Sequence, residues 1–267
     1  MQLPQQAGEA MQSSRLLLHS GFRSQFLAGE RDVTVYLPPG YDRNPELNYP
    51  ALYMQDGQNL FGSNVDSQPS LTWKFAESAD HAVNAGDVEP LLVVAIASAS
   101  ERRLAEYTPT ADWELGGGEA DRYGQMLTEE VLPFISSTYR VKAGAADTGL
   151  GGSSLGALAS LHLGLKHTEI FGKLALFSPS VWWNHRAILT LVGRVPSQRI
   201  RPRVWLDIGE SEGQRALADT ELLYRKLRSK GWRPGTDLRY ERIPGGTHDE
   251  VSWGERVEPM LRFLFPP

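Results

Sequence analysis

Asp147-Thr148-Gly149-Leu150-Gly151-Gly152-Ser153-Ser154-Leu155-Gly156 decides how this chain folds, because Gly152, Ser154 and Gly156 spell G-x-S-x-G. That pattern marks a nucleophile elbow, a serine carried on a sharp strand-to-helix turn with its hydroxyl exposed above a sheet. Such a turn needs small residues two positions to either side, since side chains there would collide with the adjoining strand and helix. The segment after the motif is densely apolar, with Leu155, Leu158, Ala159, Leu161, Leu163 and Leu165, and predicts a buried helix over 155–167. Its N-terminus falls beside Ser154, where unpaired N–H groups and the helix dipole favour negative charge. The strand signal before the motif is weak, because residues 147–150 make a poor apolar run.

Outward from the elbow, apolar β-type runs alternate with helical patterns. Strands are expected at 51–54, 91–97, the short run before the elbow, 173–177, 204–208 and 238–243, most of them apolar without strict alternation, as when both faces of a sheet are covered. Helical spacing runs through 123–139, 217–230 and 250–265. Upstream, 16–26 and 32–37 read as two strands joined by Ala28-Gly29-Glu30. This order predicts an α/β fold, a mostly parallel central sheet with helices on both faces, entered through an antiparallel N-terminal hairpin. Residues 1–14 read as a loose polar segment and 15–267 as a single domain, since no linker or repeat divides them.

Composition narrows the function classes. An apolar fraction of 41% with 22% charged residues is that of a globular protein able to bury a substantial core. A net charge of −5, with no basic run longer than the one at 199–203, argues against nucleic acid as the main partner. There is no apolar stretch of about 18 residues, so no transmembrane helix is expected. The absence of cysteine excludes disulfides, a thiol nucleophile and thiolate metal sites. His248-Asp249-Glu250 is the one metal-like cluster, but ligands adjacent in sequence rarely converge, so no metal is expected. The N-terminus lacks a basic-then-apolar leader, and cytoplasmic residence or export with the signal removed both remain open.

A serine hydroxyl is a weak nucleophile and needs a histidine to take its proton and a carboxylate to orient that histidine. On a parallel α/β sheet carrying an elbow, the chain order is serine, acid, histidine. Of the six histidines, His19 and His81 precede Ser154, His162 and His167 lie on the following helix, and His185 comes before any late strand that could carry the acid. His248 remains, in a glycine-rich loop after the last expected strand. The acid should follow the strand at 204–208, where Asp207, Glu210 and Glu212 are candidates, and spacing does not separate Glu210 from Glu212. The oxyanion needs two backbone donors: Leu155 from the elbow, and Gln58 from the loop after the strand at 51–54, where Gly57 lets the backbone turn.

With these residues in view, the chain resembles the putative esterase family of α/β-hydrolases, the group of esterase D, feruloyl esterases and enterochelin-type siderophore esterases. The likeness covers 33–265 and rests on residues 54–61, Glu106-Tyr107-Thr108-Pro109, Gly116-Gly117-Gly118, the elbow, and Phe177-Ser178-Pro179-Ser180-Val181-Trp182-Trp183-Asn184. It implies the α/β-hydrolase fold and a Ser154, Glu212, His248 triad. It also implies that Trp182, Trp183 and Asn184 lie near the cleft and that Arg103, with Arg102, can contact a carboxylate or phenolate. Gln55 stands where relatives often carry histidine, which leaves the oxyanion amide intact and alters the expected pocket wall.

The expectation is therefore a serine carboxylic ester hydrolase acting through an acyl-enzyme on a small-molecule ester, without cofactor. Small acyl esters, hydroxycinnamoyl esters, cyclic triester siderophores and formylglutathione-type thioesters share that core, as does acyl transfer to an alcohol. Trp113, Trp182 and Trp183 favour a flat or apolar acyl group. The reading from another class is a binding protein that keeps the fold without catalysis. Oligomeric state is not encoded in these patterns.

Overall fold

The computed structural model describes residues 14–62, 72–196 and 201–267. The loose segment expected at 1–14 falls almost wholly outside them, as do residues 199–200 of the basic run. The chain enters through β1 (Arg15–Arg23) and β2 (Glu30–Leu37), an antiparallel pair. It continues through β3 (Ala51–Gln55), α1 (Phe75–Asn84), β4 (Leu92–Ile96) and α2 (Arg103–Tyr107), then a small flap of β5 (Ala111–Asp112) and β6 (Gly116–Gly117). Next, α3 (Ala120–Gln125) passes through a π-turn at Met126–Val131 into α4 (Leu132–Thr138). The elbow unit is β7 (Thr148–Ser153) and α5 (Leu155–Lys166), followed by β8 (Lys173–Phe177), α6 (Trp183–Arg194), β9 (Arg203–Gly209) and α7 (Gln214–Ser229). Finally come β10 (Leu238–Ile243), α8 (Glu250–Gly254) and α9 (Val257–Leu264).

Eight strands form one sheet in the order β1-β2-β4-β3-β7-β8-β9-β10, parallel from β4 to β10 and antiparallel at β1 and β2. The parallel strands read as unbroken apolar runs because alternate residues enter two different cores. Tyr53, Val94, Leu176 and Leu206 pack with α3, α5 and α7, while Leu52, Val93, Phe177 and Trp205 pack with α1 and α9. No helix of the described residues is long and apolar enough to cross a membrane.

The weak strand before the elbow is the fully buried β7. Its apolar content is low because its neighbours occupy the space: a Cβ at Gly151 would sit 2.7 Å from both Ala175 Cβ and Met54 Sδ. Two expected helices are broken, each near a proline. Pro133 has no N–H to return to Glu129, and the chain widens into the π-turn just before it. Pro259 likewise cannot bond to Glu255, and the helix expected at 250–265 divides there into α8 and α9.

The register brings the functional loops to one edge. Ser153 pairs with Phe177, Phe177 with Asp207, and Asp207 with Glu241, so the carboxyl ends of β7, β8, β9 and β10 lie level. β3 lies beside β7, yet its chain goes on to β4 on one side while that of β7 goes on to β8 on the other. The loops leaving this central pair diverge and open a crevice above it.

Candidate active site

Ser154 sits at φ 55°, ψ −119°, a costly conformation for a residue with a side chain. Its surroundings over-determine it: its N–H donates to Phe177 O (3.0 Å), and its carbonyl accepts from Ser180 N (3.0 Å) and Leu158 N (3.1 Å). The elbow glycines are needed as expected, and the obstacle is chiefly Gln55. A Cβ at Gly152 or at Gly156 would lie 3.0 Å from Gln55 Cβ. Gln55 is fully buried beneath the turn, where its Oε1 accepts from the Tyr123 hydroxyl, and so it supports the elbow rather than forming a pocket wall.

The three candidate acids have separate environments. Glu210 pairs with Arg242 at 3.0 Å on the surface. Asp207 is fully buried and accepts from Arg256 Nη1 (2.8 Å), Trp205 Nε1 (2.7 Å) and Ser178 N (3.2 Å), and burial pushes its pKa up to about 6. Glu212 is the carboxylate that meets the histidine, with its Oε2 2.6 Å from His248 Nδ1. Its Oε1 accepts from Gly209 N at 2.8 Å and from Ser178 Oγ at 2.5 Å. Burial acts to raise the Glu212 pKa, but the donors from His248, Ser178 and Gly209 outweigh it and hold the group below its ordinary value. An ionised Glu212 assigns the imidazole proton to Nδ1 and leaves a lone pair on Nε2.

Backbone contact brings these two loops together. A Cβ at Gly209 would fall 2.3 Å from Gly246 O and 2.8 Å from Glu212 Oε1, so a side chain there would displace both the histidine loop and the acid. Ser211 N adds a hydrogen bond to Gly246 O at 2.9 Å. Beyond His248, Asp249 caps α8 through Ser252 N (2.9 Å), and Trp253 meets the imidazole edge-on with centroids 4.9 Å apart.

In the loop after β3, the left-handed residue is Asp56 (φ 56°) and not Gly57. Gly57 is required for a different reason, since a Cβ there would lie 2.4 Å from the Ala95 carbonyl carbon. Arg103 holds the strained aspartate, with Nε and Nη2 each donating to one Asp56 oxygen at 2.7 Å, while Asp56 N donates to Tyr107 Oη at 3.2 Å. Next to Tyr107, Glu106 forms a fully buried pair with Arg31 at 2.9 Å. The Glu106-Tyr107 motif thus braces the loop that presents Gln58. Among the described residues, the backbone N–H groups of Gln58 and Leu155 make none of the turn, loop or cap bonds to backbone carbonyls.

Trp182, half exposed, lines a cleft with Ser180, Val181, Ile208, Glu212 and His248. Ser180 joins this cleft to the elbow, because its Oγ lies 3.1 Å from Ser154 Oγ. In this conformation the Ser154 hydroxyl pairs with Ser180 and not with the imidazole. Trp183 and Asn184 are not among the residues lining that cleft, although the Trp183 ring meets Trp182 edge-on with centroids 5.9 Å apart. Trp183 is buried and donates Nε1–H to Thr110 O (2.9 Å), and Asn184 Nδ2 donates to Thr110 Oγ1 and Ala111 O (both 2.9 Å). Both anchor the β5–β6 flap, whose tip carries the exposed Trp113. Arg102 is engaged by Glu119 at 2.6 Å. Sequence reading gave no role to Ser178, Ser180 or Arg256. The serines lie inside a motif already singled out, whereas nothing marks Arg256 among the cations of its helical segment.

A family model described as "Putative esterase" matches residues 24–264. Among curated proteins, the uncharacterized protein YbbA of Bacillus subtilis is 29% identical over 225 residues, 79% of this chain and 84% of the relative. An endo-1,4-beta-xylanase/feruloyl esterase of Xylanibacter ruminicola is 23% identical over 91% of this chain, which spans only 30% of that relative. Among solved structures, an IroE-like serine hydrolase from Shewanella oneidensis superposes with a TM-score of 0.76 at 20% identity, covering 94% of this chain and 80% of the other. The architecture is the expected α/β-hydrolase fold.

Proposed function

Because this chain belongs to the "Putative esterase" family and is an ester hydrolase, we propose that it cleaves carboxylic esters through an acyl-enzyme formed on Ser154. The observation that carries this reading is the 2.6 Å contact between buried Glu212 and His248 at the sheet edge that bears the elbow. Ser154 Oγ turns from Ser180 toward His248, attacks the ester carbonyl carbon, and gives its proton to Nε2. The amides of Leu155 and Gln58 hold the resulting oxyanion. The carbon–oxygen bond to the alcohol then breaks as His248 returns the proton to the leaving oxygen, and water repeats the sequence on the acyl-enzyme. Mixing the enzyme with excess p-nitrophenyl acetate tests this: an initial release of one p-nitrophenol per active site is expected when deacylation is the slower step. The absence of both a burst and an acyl group captured on Ser154 at acid quench would contradict it.

Arg103 is assigned to positioning the oxyanion loop, since its Nε and Nη2 donors are taken by Asp56. Arg103→Lys loses the bidentate geometry and is expected to lower kcat about tenfold with KM nearly unchanged. A rise in KM alone would assign Arg103 to substrate binding. Trp182 offers a flat apolar face beside His248, which supports an ester with a planar or apolar acyl group, and the feruloyl esterase relative points the same way. Trp182→Ala is expected to raise KM for methyl ferulate about tenfold while changing that for p-nitrophenyl acetate little, as steady-state kinetics would record.

A further inference from the structure

We infer that Ser178, clamped by Arg256 and Trp253, is a positioning residue that turns the Glu212 carboxylate toward His248; this rests on the catalytic reading above. The argument is a count of hydrogen-bonding capacity. A serine hydroxyl has one hydrogen to donate and two lone pairs to accept with. Both lone pairs of Ser178 Oγ are filled by groups that can only donate, Trp253 Nε1–H at 3.1 Å and Arg256 Nη1–H at 3.1 Å. Its hydrogen therefore has one direction left, toward Glu212 Oε1 at 2.5 Å. With Gly209 N also on Oε1, that oxygen is saturated from the protein side, and Oε2 is left to receive His248 Nδ1–H.

The clamp is itself fixed. Arg256 is almost wholly buried, and it also donates to Asp207 Oδ1 (2.8 Å), Ser252 Oγ (2.8 Å) and Thr247 O (3.2 Å), the last being the carbonyl just before His248. One guanidinium thus ties the acid side of the site to the histidine loop. Ser178 adopts φ 45°, and its N–H donates to Asp207 O at 3.1 Å, which holds the residue in that conformation. The charged groups around Glu212 are His248 from the loop after β10, Arg256 from the α8–α9 junction at 3.8 Å, and Asp207 of β9 behind Arg256. On the cleft side lies Asp219 of α7, paired with Arg186 at 2.6 Å.

Ser178→Ala removes a donor from a pair whose resting charge is negative. Protonating the His248–Glu212 pair then becomes easier, because the unprotonated state loses more stabilisation than either protonated one. The acidic limb of kcat/KM should move to higher pH by about one unit, with kcat about tenfold lower and KM little changed. A serine that merely supported the fold would lower the melting temperature and leave the limb in place. The experiment is the kcat/KM–pH profile on p-nitrophenyl acetate for wild type, Ser178→Ala and Glu212→Gln, with circular dichroism to check folding. If Glu212→Gln is inactive and Ser178→Ala shifts the limb, the inference holds. If Glu212→Gln is inactive and the Ser178→Ala limb is unmoved, Ser178 has no such role although the catalytic reading stands. Full activity in Glu212→Gln would overturn both. Should Ser178→Ala fail to fold, Trp253→Phe frees one lone pair of Ser178 while keeping a ring against His248. It should shift the limb in the same direction by a smaller amount, and an unmoved limb there would also overturn the inference.

Discussion

Ser154→Ala should lower kcat toward p-nitrophenyl acetate by about 10⁵-fold while leaving folding intact. The size follows from what remains. Alanine keeps the Cβ and the backbone hydrogen bonds to Phe177, Ser180 and Leu158, so the elbow and the Leu155 amide stay in place. On the proposed mechanism, substrate binding and oxyanion stabilisation survive, but the atom that forms the acyl bond is gone. Such a remnant accelerates hydrolysis only about 10³–10⁴-fold over water. A loss of less than about 100-fold would mean that another nucleophile, or water activated directly by His248, carries the reaction. The melting temperature should stay near that of the wild type, since one small hydroxyl bonded to Ser180 is all that is removed.

Glu212→Ala should cost about 10⁴-fold in kcat, and Glu210→Ala no more than a few-fold. The contrast comes from position alone, since the two glutamates are two residues apart in one short turn. Glu210 faces solvent with Arg242, and such exposed pairs contribute little. Glu212 is buried against the imidazole, where its loss removes the acceptor that fixes the Nδ1–H tautomer and the charge that stabilises the imidazolium. Sensitivity to pH should accompany this loss. Glu212 is held below its ordinary pKa and so is ionised throughout the neutral range, where its stabilisation of the imidazolium is fully available. That contribution fades only as falling pH protonates the pair, so wild-type activity should decline on the acid side. Equal losses for the two alanine variants, measured side by side on one ester, would remove Glu212 from its assigned role.

Much of the proposed site is legible in the sequence because the proposed chemistry constrains residue type and order together. G-x-S-x-G, a glycine-rich loop with a late histidine, and an acid after the penultimate strand leave few choices, and the structure brings Glu212 and His248 into contact at the edge that carries Ser154. The strands of the parallel sheet were readable from their apolar runs. β7 was the exception, since its burial is imposed by Met54, Leu52 and Ala175 on the neighbouring strands, and its own residues stay small to admit them.

What the sequence hid are contacts made across long separations by residues of ordinary type. Trp183 and Asn184 lie in a motif that resembles a cleft-forming one, and their side-chain N–H donors go to Thr110 and Ala111 more than 70 positions away. Arg103 reads as a free cation until Asp56 is seen in a left-handed turn that needs both its oxygens held. Arg256 is one arginine in an amphipathic segment, and only the fold sets it behind Ser178, Asp207 and the histidine loop at once. No local periodicity carries such information, because these roles depend on which loops the register of the sheet places side by side.

The most direct measurement of the central claim is the intact mass of the wild-type protein after a fluorophosphonate probe, with the adduct located by peptide mapping, beside Ser154→Ala and His248→Ala. A single adduct on the peptide holding Ser154, absent from Ser154→Ala and slowed by several orders of magnitude in His248→Ala, is the predicted result. No adduct on folded wild-type protein, or one on another residue that persists in Ser154→Ala, would contradict the assignment of Ser154 as the nucleophile.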